Sequence, residues 1–272
     1  AIGVPMTGCP ATAIRTTSNK LITKQLLEAN GLPTPSAVIS GEAVDHGRWI
    51  VKSVWEHASI GLDDDAVVDA ASRCLETALR QARSGPRGDV FAERYIDGRE
   101  FNLSLIEIDG EPCILPPAEI EFVGFGAERP RIVGYAAKWD PDSFAYNHTP
   151  RRFAFPSSDG PLLDTLRDLA LRCWHLFGLR GYARVDFRVD RTGIPWILEI
   201  NANPCLSPDA GFLAAAQEAG WSSFEVIRRI IAASIAQPPE RTTSFARLNP
   251  DEVNRAAPCR QGAMTPCGGE RT

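Results

Sequence analysis

The chain has 272 residues, with 29 Lys and Arg against 34 Asp and Glu, a net charge of −5 and 44% hydrophobic residues. That composition excludes wholesale disorder, and its mild acidity argues against a general nucleic-acid binder, which carries a basic excess. No apolar run approaches the ~18 residues of a membrane span, no signal-peptide pattern opens the chain, and seven cysteines without a CxxC pair predict reduced thiols in a cytoplasmic protein.

Residues 1–10 begin without methionine and read as the exit from a strand and turn, as in a chain lacking an N-terminal portion. Ser18 is placed to cap a helix over about 19–30, with Leu21, Ile22, Leu26 and Ala29 on one side and Gly31 as its stop. Pro33 and Pro35 force extended chain. Residues 49–54 read as a strand, followed by a loop of mostly small residues ending in Ser59-Ile60-Gly61. Asp64 and Asp65 predict the cap of a helix over roughly 66–82.

A second unit is expected from about Asp89, with a strand over 90–96. A hairpin follows, in which 101–108 turns at Asp109-Gly110 into 113–122. Residues 124–150, rich in Gly, Pro and Asp, suggest a long loop around one short strand. Leu162, Leu166, Leu169, Cys173 and Leu176 mark an amphipathic helix stopped by Gly178. A further hairpin covers 182–201, and a last helix begins at Ser222-Ser223, where Ser222 and Glu225 have capping-box spacing. From about Pro238 the polar composition predicts a disordered tail, whose Cys259 and Cys267 are read as bland rather than metal-binding. Hairpins dominate the strand pairing, so the expected class is α+β with antiparallel sheets.

The 182–201 hairpin carries the chemistry. With Thr192-Gly193 as the turn, paired residue numbers sum to 385. Val185, Phe187 and Val189 then face Ile200, Leu198 and Trp196 on a wholly apolar side. Arg184, Asp186 and Arg188 face Asn201, Glu199 and Ile197 on the other. Asp186 and Glu199 would stand opposite one another with Cβ atoms roughly 4.5–5.5 Å apart. Two facing carboxylates repel unless a cation lies between them, and three oxygen donors from adjacent strands suit Mg²⁺. An exposed hairpin face, its acids paired with Arg184 and Arg188, explains the same pattern. The abrupt strand end at Ala202-Asn203-Pro204 favours a site.

Arg184-Val-Asp-Phe followed by Ile197-Leu-Glu-Ile-Asn-Ala-Asn-Pro204 resembles the metal-binding hairpin of the ATP-grasp superfamily, most closely its D-alanine–D-alanine ligase branch. Met6-Thr-Gly8, Asn19-Lys20 and Gly31-Leu-Pro-Thr-Pro35 resemble the entry into that family's central domain. Ile50-Val-Lys52 with Glu56 and Ser59-Ile-Gly61 resembles its phosphate-loop strand, Glu93-Arg-Tyr-Ile-Asp-Gly-Arg-Glu100 its adenosine hinge, and Ala137-Lys138 a further phosphate contact. The likeness covers about residues 5–235.

The resemblance implies two α+β lobes gripping ATP. Residues 1–18 would be a remnant of an N-terminal substrate lobe, 19–88 the small lobe and 89–237 the C-terminal lobe with the metal site. Lys20, Lys52 and Lys138 would hold phosphates, and the amides of Ser59, Ile60 and Gly61 would cover them. Glu93, Arg94, Tyr95 and Ile96 would meet the adenine, Glu100 the ribose, and Leu198 joins these nucleotide contacts. Asp186, Glu199 and Asn201 would ligate two Mg²⁺ ions (or Mn²⁺). Arg184, with Ser59 and Lys138, would act in catalysis by stabilising negative charge. A carboxylate would take the γ-phosphoryl group of ATP, and an amine would attack the resulting acyl phosphate to form an amide. The implied partners are small amino acids or peptides, with no nucleic acid and no membrane, and a homodimer is admitted.

Three departures bear on the substrate. Only a remnant of the N-terminal lobe is expected. Ala58 and Trp139 stand where the family has a serine and a tyrosine of a substrate-orienting network. Pro204-Cys-Leu-Ser-Pro-Asp209 replaces a serine- and histidine-containing stretch. A ligase of other amino acids or peptides outside wall synthesis, or a nucleotide-binding module without ligase activity, are the rival readings.

Overall fold

The computed structural model describes residues 5–40, 46–55, 59–70, 74–85 and 88–236. Its elements in chain order begin with α1 (Ala11–Ser18), α2 (Lys20–Ala29), β1 (Ala37–Val38), β2 (Arg48–Ser53), β3 (Val67–Asp69), α3 (Leu75–Arg83) and β4 (Val90–Arg94). β5 (Gly98–Ile108), β6 (Glu111–Ile114), β7 (Ala118–Ile120), α4 (Tyr135–Trp139), α5 (Phe144–Asn147) and β8 (Arg151–Arg152) follow. The chain then forms α6 (Gly160–Leu176), β9 (Tyr182–Asp190), β10 (Pro195–Asn201), α7 (Gly211–Glu218) and α8 (Ser223–Ala236).

Two antiparallel sheets result. The smaller runs β1-β4-β2-β3, and the larger runs β10-β9-β5-β7-β8, with β6 paired to β5. The α+β expectation is met. Trp49, Val51, Val90 and Ala92 of the small sheet pack on Leu75, Ala78 and Leu79 of α3. In the large sheet, Phe101, Leu103, Leu105, Val185, Phe187 and Val189 pack on α6. They alternate along their strands with Glu100, Asn102, Ser104, Arg184, Asp186 and Arg188, because successive strand residues point to opposite faces. At the far end of that second face, Ile106 and Tyr182 pack with Phe212 and Leu213 of α7 and Val226 and Ile230 of α8. The helices thus cover the apolar end and leave the charged end facing the small sheet.

Several sequence expectations need correction. The helix predicted over 66–82 is a short 3₁₀ turn, Asp64–Ala66, then strand β3, with α3 starting only at Leu75. Two β-branched valines at 67 and 68 suit an edge strand, and they pair with β2. The cap of α2 is Asn19, not Ser18: the Asn19 side chain accepts from the Ile22 amide at 3.0 Å, and Ser18 closes α1. The strand expected to open the second unit, β4, hydrogen-bonds to β2 of the small sheet, so the chain changes sheets after Arg94. Helix α2 and its exit lean on the large sheet instead, with Leu27 and Leu32 in that core and the Ile197 amide bonded to the Pro33 carbonyl at 2.8 Å. The 124–150 segment contains helices α4 and α5 and, among the described residues, no strand; strand β8 follows it at Arg151–Arg152.

The β5–β6 hairpin turns as expected at Asp109 and Gly110, both with positive φ (53° and 89°), the geometry of a two-residue turn matched to strand twist. Ser222 caps α8 through the Glu225 amide at 3.2 Å. Cys9, Cys74, Cys173 and Cys205 are free thiols, whereas Cys113 is disulfide-bonded, so the expectation of reduced thiols does not hold for every cysteine. Ala58 and the chain from Pro238, with Cys259 and Cys267, lie outside the described residues. Among the described residues no helix is long and apolar enough to cross a membrane.

Candidate active site

The β9–β10 ladder differs instructively from the regular pairing. Pro195, Trp196 and Ile197 face Val189, Arg188 and Phe187, whereas Glu199, Ile200 and Asn201 face Asp186, Val185 and Arg184. A bulge at Leu198 absorbs the change of register. The anticipated Asp186–Glu199 pairing therefore holds, but Ile197, not Leu198, enters the core opposite Phe187. Leu198 lines the cleft beside Glu199.

That cleft lies between the sheets. Its larger part, about 590 Å³, is lined by Lys52, Ser59, Glu93, Arg94, Tyr95, Ile96, Glu100, Lys138, Asp186, Arg188, Leu198 and Glu199, among others. A second part shares Lys52, Ser59, Leu198 and Glu199 and adds Lys20, Ile60 and Gly61. The sequence-predicted residues are thus brought together, with two qualifications. The Arg94 guanidinium reaches away to the His46 carbonyl at 2.9 Å. Arg184 and Asn201 join through Asp186 rather than as lining.

Charge in the cleft is organised by short contacts. Glu93, 2% exposed, is held between Lys24 at 2.8 Å and Lys52. Burial pushes its carboxyl up, but the two ammonium groups outweigh this and hold it below the ordinary carboxylate range. Glu93 is therefore first a partner for two lysines, and Lys24 is a site-supporting residue that sequence reading missed. Burial lowers the Lys20 pKa, opposed by the charge of Glu199.

Asp186 is engaged at both oxygens: Arg184 Nε and Nη2 donate at 2.7 and 2.9 Å, Asn102 Nδ2 at 2.9 Å and Asn201 Nδ2 at 3.0 Å. Burial opposes the Arg184 charge, yet Asp186, Glu199 and Glu100 hold its pKa above the usual arginine value. Asn102 also escaped sequence reading. The alternation of Glu100, Asn102 and Ser104 in β5 signals a polar face, but only the β5–β9 register reveals that it faces Arg188, Asp186 and Arg184. Ser59 adopts φ 59° and anchors its turn by donating from Oγ to the Val133 carbonyl at 2.9 Å, with Gly61 at φ 70°.

The donor set suits a hard divalent cation. Among the described residues no cluster of three or more His, Cys, Asp or Glu side chains has metal-binding geometry. What converges instead is two facing carboxylates and an amide, oxygen donors that leave room for phosphate oxygens. Arg184 balances charge on Asp186.

Comparison with known proteins agrees with this geometry. The family described as D-ala D-ala ligase C-terminus matches residues 48–232. The uncharacterized protein y4sG of Sinorhizobium fredii is 32% identical over 237 residues, covering 84% of this chain and 66% of that protein. The D-alanine–D-alanine ligase of Methylococcus capsulatus is 30% identical over 246 residues, covering 86% of this chain and 71% of the ligase. This chain thus spans about two thirds of the length of such relatives. The crystal structure of D-alanine–D-alanine ligase from Bacillus anthracis complexed with ATP superposes with a TM-score of 0.63 at 21% identity, over 86% of this chain and 71% of that one. With an ATP-grasp fold, and with the family match running over most of the cleft from β2 to the β9–β10 hairpin, the chain belongs to the D-ala D-ala ligase C-terminus family.

Proposed function

We propose that this chain binds Mg-ATP in the intersheet cleft and supplies the phosphoryl-transfer half of a carboxylate–amine ligase of the D-alanine–D-alanine type. The observation that carries the reading is convergence: Lys20, Lys52 and the Asp186–Glu199 pair, from four elements, line one continuous cleft that Lys138 closes from α4. Ligases named for D-alanine among its relatives favour this reading over an inactive module or a ligase of other peptides.

In this reading Lys20, Lys52 and Lys138 hold phosphate oxygens as point charges, and the turn at 59–61 presents backbone amides to them. Tyr95, Ile96 and Leu198 meet the adenine, and Glu100 the ribose. Asp186, Glu199 and Asn201 are the Mg²⁺ ligands, and the metal supplies charge neutralisation of the transferring phosphoryl group. Arg184, held in place by Asp186, faces the negative charge that develops as the substrate carboxylate accepts phosphate and the amine then attacks the acyl carbon.

Calorimetry with a non-hydrolysable ATP analogue, with and without Mg²⁺, tests the nucleotide half. Phosphate release and mass spectrometry with D-alanine test the ligase half. Folded protein that binds no nucleotide would overturn the reading.

A further inference from the structure

Arg188 has no part in the function proposed above, yet it is 3% exposed and lines the same cleft. An arginine is rarely so buried unless its donors are met. Here they are met by three acceptors on two segments, two of them in β5 and one in the chain at Arg131. Its guanidinium makes an ion pair of 2.9 Å with Glu100 Oε2, donates from Nη1 to the Gly98 carbonyl at 2.9 Å, and donates from Nη2 to the Arg131 carbonyl. It also stacks 5.0 Å from the Phe122 ring centroid. Glu100 and Arg188 are direct cross-strand partners on β5 and β9.

The consequence falls on Glu100. One of its oxygens is pinned by Arg188, and among the described residues the other, Oε1, accepts no hydrogen bond. Two other cations, Lys52 and Lys138, line the same cleft and would compete for an unpinned carboxylate. A carboxylate held at one oxygen and open at the other is an oriented acceptor for sugar hydroxyls.

We propose that Arg188 is a positioning residue that aims Glu100 at the ribose, so that the cleft discriminates ribonucleotides from deoxyribonucleotides. The inference rests on the cleft being the nucleotide site. A hydrogen bond from a hydroxyl to a charged acceptor contributes ~1.5–3 kcal/mol, so losing it costs tenfold or more in affinity.

The test measures binding of a non-hydrolysable ATP analogue with Mg²⁺ against its 2′-deoxy and 3′-deoxy forms. Wild type should prefer the ribonucleotide over at least one deoxy form by about tenfold. Arg188→Met should cut that preference to within about twofold, and Glu100→Gln should do the same. The double variant should lose no more than either single one, because the pair acts as a unit. Arg188→Lys keeps the charge but cannot reach three acceptors at once, so it should show a reduced preference. It serves as the variant should Arg188→Met fail to fold. Full preference in either folded Arg188 variant, or an equal loss of affinity for ribo and deoxy forms, would overturn the proposal. Wild type that binds both sugars equally would overturn it while leaving the nucleotide site standing. Wild type that binds neither would overturn the site itself.

Discussion

Asp186 stands directly opposite Glu199 across the β9–β10 ladder, and Arg184, two residues before Asp186, clamps it with a bidentate contact from the same face. Cross-strand carboxylates repel, and one guanidinium balances one of them. A divalent cation shared with phosphate would add to the positive charge that faces Glu199. Glu199→Gln keeps the shape and removes the negative charge. Nucleotide affinity should then lose its Mg²⁺ dependence, and phosphoryl transfer should fall by orders of magnitude with the fold retained. A magnesium titration of analogue binding checks this, and an unchanged curve would refute the ligand assignment.

Leu198 reaches the cleft only because the strand bulges there. Leu198→Ala removes apolar contact from the site while Ile197 still fills the core. Nucleotide affinity should fall on the order of tenfold, about 1.4 kcal/mol. The melting temperature should drop less than for Ile197→Ala, whose side chain is fully buried. Thermal melts and calorimetry on both variants give the comparison, and equal effects on both measurements would contradict it.

Glu93 makes ion-pair contact with both Lys24 and Lys52. Glu93→Ala leaves Lys24, 3% exposed, as a buried ammonium without its counter-charge. Such truncations cost about 3–5 kcal/mol. Urea unfolding should show a loss of that order, and a change below ~1 kcal/mol would mean that Lys24 finds water or turns outward.

Asp190 ties the β9–β10 turn. Its oxygens accept from the Thr192 and Ile194 amides at 2.9 and 3.0 Å, and from Trp196 Nε1 at 2.9 Å. Burial pushes its carboxyl up, but these bonds outweigh it and lower the pKa from 3.8 to about 2. A folded-state value below the unfolded one means a stabilising contribution that is complete above pH ~5 and is lost as the pH falls toward 2. Asp190→Asn should therefore cost about 1 kcal/mol at pH 7 and clearly less at pH 3, the contribution vanishing only below about pH 2. Its nucleotide affinity should match wild type, since Asp190 lies off the cleft lining. Urea melts at pH 7 and pH 3 read the difference.

Local chemistry was legible in the sequence. The Asp109-Gly110 turn, the cap at Ser222 and the alternation of β9 all depend on residues close along the chain. The facing of Asp186 and Glu199 was anticipated from a register that the hairpin adopts only beyond the bulge at Leu198, which the sequence did not reveal. The 66–82 segment was misread because its helical periodicity competes with an open edge of β2, which only tertiary pairing supplies.

The sequence by itself therefore determined the α+β class, the hairpin and the types of charged group at the cleft. Tertiary structure decided their partners. Glu93 meets Lys24, Asn102 meets Asp186 and Glu100 meets Arg188 across separations of 69, 84 and 88 residues. No local propensity encodes such pairs. They follow from the register of β5 against β9 and from α2 packing beside the sheets, where burying a charge is tolerable only beside its opposite.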